Sequence, residues 1–222
     1  MKTSIIACCC LLMSLMAYAQ NDLQTGQLRV DYRLRKDDKT TNAEGSPYIH
    51  NKFVKAKINK LEEEYFVKYN AYLNQFEFKP NRIDAKIKVL PAGSGARIEL
   101  VNSNIVYEDV YFNGDAQYMK VYEENEDYTL YVKEVIVFEE AEEPANSYAQ
   151  PDPAQFVREN DILYLRDRVR GKFEEIDTKK RTVRNWFKEL DVKKLMKTND
   201  IKLREKDDLV ALLNKCFEKL PN

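Results

Sequence analysis

The stretch that decides the fold runs from Val106 to Phe138: VYEDVYFNGDAQYMKVYEENEDYTLYVKEVIVF. Val106, Val110 and Phe112 lead into Asn113-Gly114, the strongest short-range hairpin signal, because both positions of a tight turn there tolerate positive φ. Met119 and Val121 carry the partner strand. Tyr128 to Phe138 is a β-rich run with Leu130, Val132, Ile136 and Phe138 on one side. A period of two with one apolar side means a sheet with one face buried and the other wet.

Working outward, the same period extends from Ser46 to about Glu140. Tyr65, Val67 and Tyr69 alternate with polar neighbours, as do Tyr72, Phe76 and Phe78. Ile83, Ala85, Ile87 and Val89 face one way, and Asp84, Lys86 and Lys88 the other. Pro91-Ala92-Gly93-Ser94-Gly95 is a turn. About eight strands joined by short polar turns predict an antiparallel sheet, as a sandwich or open barrel.

The period then changes. Residues 141–153 (AEEPANSYAQPDP) carry three prolines and read as an extended linker. Ile162 to Leu165 is strand-like, and Gly171 marks a turn. After that the spacing is helical. Thr178 is the expected N-cap of a helix with Val183, Trp186 and Phe187. Val192, Leu195 and Met196 suit a second helix. A third carries Leu209, Val210, Leu212, Leu213, Cys216, Phe217 and Leu220 at spacings of three and four. Asp207 and Asp208 lie near its start, where the helix dipole favours acids. The expected class is therefore α+β: a mainly antiparallel sheet followed by a small C-terminal three-helix region.

The N-terminus reads as an address. Lys2 precedes the apolar run Ile5–Met16, and Ala17-Tyr18-Ala19 has the small-x-small form of a signal-peptidase site. The apolar run is shorter than the about 20 residues a spanning helix needs. The expectation is export, to the periplasm or outside the cell, with peripheral attachment to the outer membrane as one form of it. No transmembrane span is expected after cleavage. The expected segments are a signal peptide at 1–19, an N-terminal arm at 20–45, a β domain at 46–142, a linker at 143–160 and a strand and helical region at 161–222. Cys8, Cys9 and Cys10 would leave with the signal, so Cys216 alone would remain and no internal disulfide could form.

Several phrases occur together: Gly45-Ser46-Pro47-Tyr48-Ile49 with Phe53-Val54, then Lys68-Tyr69-Asn70-Ala71-Tyr72 with Phe76-Glu77-Phe78-Lys79, then Glu143-Pro144-Ala145 leading to Pro153-Ala154-Gln155-Phe156-Val157. In this order they resemble an uncharacterised family of exported proteins of Bacteroidetes-type bacteria. That family has "GTPYL", "RYN-Y-N-EMEFK" and "EP…PA-F" phrases. Lys68 stands where the family usually has Arg, and Ala71 where it has Ile. The resemblance implies export, a β-rich body and a helical tail, and it brings no catalytic residues with it.

Composition narrows the function classes. The 222 residues hold 36 Lys and Arg, 37 Asp and Glu, and one His, for a net charge of −1. That balance argues against a general nucleic-acid binder. His50 has no GxSxG serine to serve, and Cys216 lies on an apolar helical stripe where a thiolate is disfavoured. The acidic runs at 62–64, 123–127 and 139–140 lack the spacing of a Ca²⁺ loop. Gly93-Ser94-Gly95 lacks the ending of a phosphate loop. No catalytic, metal-ligating or cofactor-binding set is assigned, and no cofactor is expected.

Two features remain. The tail from Lys172 to Lys219 has 14 Lys and Arg against 10 Asp and Glu, which suggests contact with an anionic envelope surface as the alternative to a solvated face. Tyrosine is abundant, with 14 residues mostly on strands. Tyr107, Tyr111, Tyr118 and Tyr122 are the candidate binding surface, since an amphipathic ring suits a sheet that meets a protein or a sugar. The expected function is a non-enzymatic envelope protein that binds another envelope component, protein or polysaccharide, through its sheet or tail. The alternative is a carrier of a small apolar ligand or lipid inside a curved sheet.

Overall fold

The computed structural model describes residues 43–59, 63–83, 87–141 and 153–220. The expected signal peptide and nearly all of the expected arm lie outside them, as does most of the proline-rich stretch. Twelve strands are formed: β1 (Val54–Ile58), β2 (Glu64–Asn70), β3 (Gln75–Lys79), β4 (Lys88–Pro91), β5 (Arg97–Leu100), β6 (Val106–Phe112), β7 (Asp115–Glu124), β8 (Tyr128–Lys133), β9 (Ile136–Glu139), β10 (Gln155–Arg158), β11 (Ile162–Asp167) and β12 (Phe173–Ile176). Three helices follow: α1 (Lys180–Trp186), α2 (Val192–Thr198) and α3 (Lys206–Phe217). The class is α+β, mainly antiparallel.

Ten strands form one sheet in the order β12-β11-β8-β7-β6-β5-β1-β2-β3-β4, and β9 pairs with β10 in a second. Every ladder within these sheets is antiparallel. The large sheet bends twice, in opposite senses. At one end β2 and β3 curl over β6 and β7. Phe76 and Tyr118 meet at 4.9 Å between ring centroids, and Tyr69 and Tyr107 at 5.1 Å. Tyr118 donates its backbone N–H to Asn74 Oδ1 at 3.0 Å, which ties the β2–β3 turn to β7. At the other end β12 curls towards β6 across the opposite face. Phe112 meets Tyr164 at 4.7 Å and Phe173 at 5.1 Å.

The three helices cover the apolar side of β8, β11 and β12. Tyr128, Leu130, Val132, Leu163, Leu165 and Ile176 form one core with Val183, Trp186, Phe187, Leu209, Leu212, Leu213 and Phe217. Tyr128 stacks on Phe217 at 4.9 Å and its hydroxyl donates to Asn214 Oδ1 at 2.7 Å. Burial of this many large apolar side chains is the main stabilising term, about 25 cal/mol for each Å² removed from water.

Four sequence expectations need correction. The run from Tyr128 to Phe138 is two strands in different sheets, because Val135 turns its carbonyl to the Glu159 N–H at 3.0 Å and to Arg158 at 2.8 Å. The segment expected as linker to residue 160 includes β10, whose Phe156 packs against Phe138 and Tyr72 at 5.3 Å each. Ile83 is 95% exposed, and the strand expected from it begins at Lys88. The N-cap of α1 is Lys179 rather than Thr178, and Asp177 Oδ1 accepts the Lys179 N–H at 2.9 Å. The acids at the start of α3 fall as expected. Asp208 accepts backbone N–H groups of Arg204 and Glu205 at 2.8 and 3.2 Å.

Candidate functional site

The four candidate tyrosines share one side of the sheet. Tyr107 and Tyr111 lie two residues either side of Asp109, which pairs with Tyr118. Curling of β2 and β3 buries the middle of that side, so the four do not form one surface. Tyr107 is 2% exposed and Tyr118 1%. Both belong to the core and are withdrawn as surface residues. Tyr118 shares a hydrogen bond with the Ser94 hydroxyl at 2.8 Å. Tyr111 is 67% exposed. Tyr122, at a bulge in β7, donates to Asp207 Oδ1 of α3 at 2.6 Å. That hydrogen bond to a carboxylate, with burial second, pushes its phenol up to about 12.

Tyr107 introduces a charge chain, starting at buried Glu134 and running out to the surface, that sequence reading missed. Its hydroxyl donates to Glu134 Oε2 at 2.6 Å, and Lys120 Nζ lies 3.0 Å from Oε1. Glu134 is 7% exposed. Burial first, and the facing carboxylate second, push the Tyr107 phenol well above its ordinary value. Arg158 lies 4.0 Å from Glu134 and pairs with Asp161, which also takes Lys206 Nζ at 2.7 Å. Burial alone would raise the Asp161 pKa, but hydrogen bonds from Lys206 and Arg158 outweigh it and hold the carboxyl below its ordinary range. The chain thus runs from the sheet interior to α3. Each member has a structural partner, so it reads as a joint between layers. A depression of about 550 Å³ beside it is lined by Tyr122, Asp161, Glu175, Asp177, Arg204 and Lys206.

The second concavity differs in kind. A groove of about 660 Å³ crosses the sheet side where β12 curls towards β6, lined by Glu108, Val110, Arg166, Arg168, Gly171 and Phe173, with Tyr111 contributing to its wall. Its apolar side is continuous with a small core of Val110, Met119, Tyr131 and Tyr164. Two of its charges are held at set positions. Glu108 Oε2 accepts from the Tyr131 hydroxyl at 2.9 Å and from Arg97 at 3.4 Å. Arg168 pairs with Glu124 and donates to Thr129 Oγ1 at 2.9 Å. Arg166 is exposed. Aromatic and apolar surface flanked by oriented charged groups can take a ligand with both C–H faces and hydroxyls.

The remaining single-residue candidates have plain positions. His50 is exposed at a bend. Cys216 is 0% exposed on α3, where burial pushes its thiol up to about 12. The run 123–127 includes the β7–β8 turn, whose Asn125 Oδ1 accepts the N–H groups of Asp127 and Tyr128 at 3.0 and 2.9 Å. Gly93-Ser94-Gly95 is a turn fixed by Asp109, which accepts the Gly95 N–H at 2.8 Å. Among the described residues, no group of three or more His, Cys, Asp or Glu is placed to hold a metal ion, and no helix is long and apolar enough to cross a membrane.

Segments 45–48, 68–72, 76–79 and 154–156 meet in space. Ala71 donates its N–H to Pro47 O at 3.0 Å, and the Tyr48 hydroxyl donates to Glu77 Oε1 at 2.7 Å. Lys68 Nζ sits 3.5 Å from the centroid of the Tyr48 ring. Gly45 passes so close to Phe156 that an added Cβ would lie 2.6 Å from its carbonyl oxygen. These residues join the first strands to β10. No family model, curated protein or solved structure matches the chain.

Proposed function

We propose that this chain is an exported, non-enzymatic protein of the cell envelope that binds a polysaccharide in the groove between β6 and β12. One observation carries the reading: the groove combines Phe173 and Val110 with Glu108, held by Tyr131 and Arg97, and exposed Arg166 in an open channel of about 660 Å³. An aromatic ring stacks on the C–H face of a sugar. Carboxylate and guanidinium groups hydrogen-bond its hydroxyls, and charge-assisted bonds of this kind are the stronger ones. Export is supported by the signal-like N-terminus. The carrier alternative has less support, since Tyr69, Phe76, Tyr107 and Tyr118 fill the curl of β2 and β3 over β6 and β7.

The test is retention of the protein on insoluble envelope polysaccharide. Wild type is expected to be retained and to be released by soluble fragments of the same polymer. Arg166→Ala, at an exposed position, is expected to weaken retention about tenfold with an unchanged melting temperature, the loss of roughly one charge-assisted bond. Retention equal to wild type would remove the groove from the account.

A further inference from the structure

The basic tail acquires a definite shape once the helices are in place. Helix α1 carries Lys180, Arg181 and Arg184, and α2 carries Lys193, Lys194 and Lys197. The spacing is the same in both: first, second and fifth positions of an arc. At 100° per residue these three span about 100° of the helix surface. The arcs lie away from the buried residues, which are Val183 and Trp186 in α1 and Val192 and Met196 in α2. All six cations are exposed. None takes part in the ion pairs found among the described residues. Elsewhere in the tail Lys206 is tied to Asp161, Lys215 to Glu218 and Lys179 to Asp177.

Unpaired like charges grouped on one side of a helix raise the local potential and favour an anionic partner. We infer that the exposed cationic arcs of α1 and α2 dock the protein on an anionic lipid bilayer, by electrostatics and without insertion. Two observations select a bilayer over a nucleic acid. Each helix has seven residues, about 10 Å long, too short to follow a groove for a full site. Outside the N-terminal 19 residues and the span Lys172–Lys219, the chain carries a net charge of −6. A polyanion that wraps would meet that repulsion, whereas a flat surface touches one side only. The large apolar side chains of α1 and α2, Val183, Trp186, Val192 and Met196, face the core, so the contact is electrostatic without insertion, reversible and salt-sensitive.

The experiment is co-sedimentation of the full chain with vesicles of phosphatidylglycerol and phosphatidylcholine, or of phosphatidylcholine alone, at low and high salt. The difference between the two vesicle types isolates headgroup charge from any apolar contact of the N-terminus. Two triple variants are compared: Arg181→Gln/Arg184→Gln/Lys194→Gln in the arcs, and Lys52→Gln/Lys57→Gln/Arg82→Gln at exposed positions in the β body. Each cation near an anionic surface contributes roughly fivefold. The arc triple is therefore expected to lose about a hundredfold of the anionic preference, the body triple only a few fold, and 1 M salt to remove it. Equal losses from the two triples would overturn the inference, as would indifference to headgroup charge. So would tight binding of an arc-dependent kind to duplex DNA or heparin in place of vesicles.

Discussion

At the residue scale, Trp186 shows how the tail is held. It is 5% exposed within the helix–sheet core, and Lys172 Nζ lies 3.8 Å from its ring centroid. Trp186→Ala is expected to lower stability by about 3–5 kcal/mol, measured by chemical denaturation. Trp186→Phe should cost less than half of that. It keeps most of the ring and removes an indole N–H that has no hydrogen-bond partner among the described residues. Asp161 gives a pH-dependent counterpart. Its folded pKa lies below the ordinary value of 3.8, so its contribution is complete above that value. It is lost as pH falls through the lower, folded pKa. Asp161→Asn is expected to flatten the acid limb of the stability curve below about pH 4 while lowering stability at neutral pH. An acid limb identical to wild type would assign that dependence to other carboxylates. Burial of Trp186 and Cys216 was legible from helical spacing. The fate of the tyrosines was not, because period two tells which side of a strand a ring occupies but not which strands will close over it.

At the element scale, two glycines separate backbone strain from close approach. Gly45 and Gly95 both adopt positive φ, +79° and +66°. An added Cβ at Gly95 meets nothing within 4 Å, whereas at Gly45 it lies 2.6 Å from the Phe156 carbonyl oxygen. Gly95→Ala is expected to cost about 1 kcal/mol from strain alone, and Gly45→Ala about 2–3 kcal/mol because β10 must also shift. Equal costs by denaturant titration would show that the Gly45–Phe156 approach is not constraining. Most strands between Val54 and Lys133 were legible from alternation. The break between β8 and β9 was not, since Glu134 turns inward to Lys120 and Tyr107, partners distant in sequence. Residues 155–158 were hidden by the prolines before them. Their strand exists because β9 supplies the ladder, which no local signal reports.

At the scale of the whole molecule, one long sheet with two opposed curls makes both the filled interior and the open groove. The strand order sets this shape, and order depends on long-range pairing that a single sequence does not display. Glu108, Arg166 and Phe173 are therefore ordinary strand residues until β12 approaches β6. The edge strands also fit a molecule that stays unpaired there. β4 carries Lys88 and Pro91, and β12 has exposed Glu174 and Glu175, residues that discourage edge-to-edge association. The central claim is that the β6–β12 groove is where the envelope polysaccharide binds. The most direct test is an NMR titration of the labelled protein with soluble fragments of that polysaccharide. The account predicts saturable shifts centred on Glu108, Val110, Arg166 and Phe173, and the same shifts in Arg166→Ala reached only at about tenfold higher ligand concentration. Shifts centred on the helices instead, or none at saturating ligand, would contradict it.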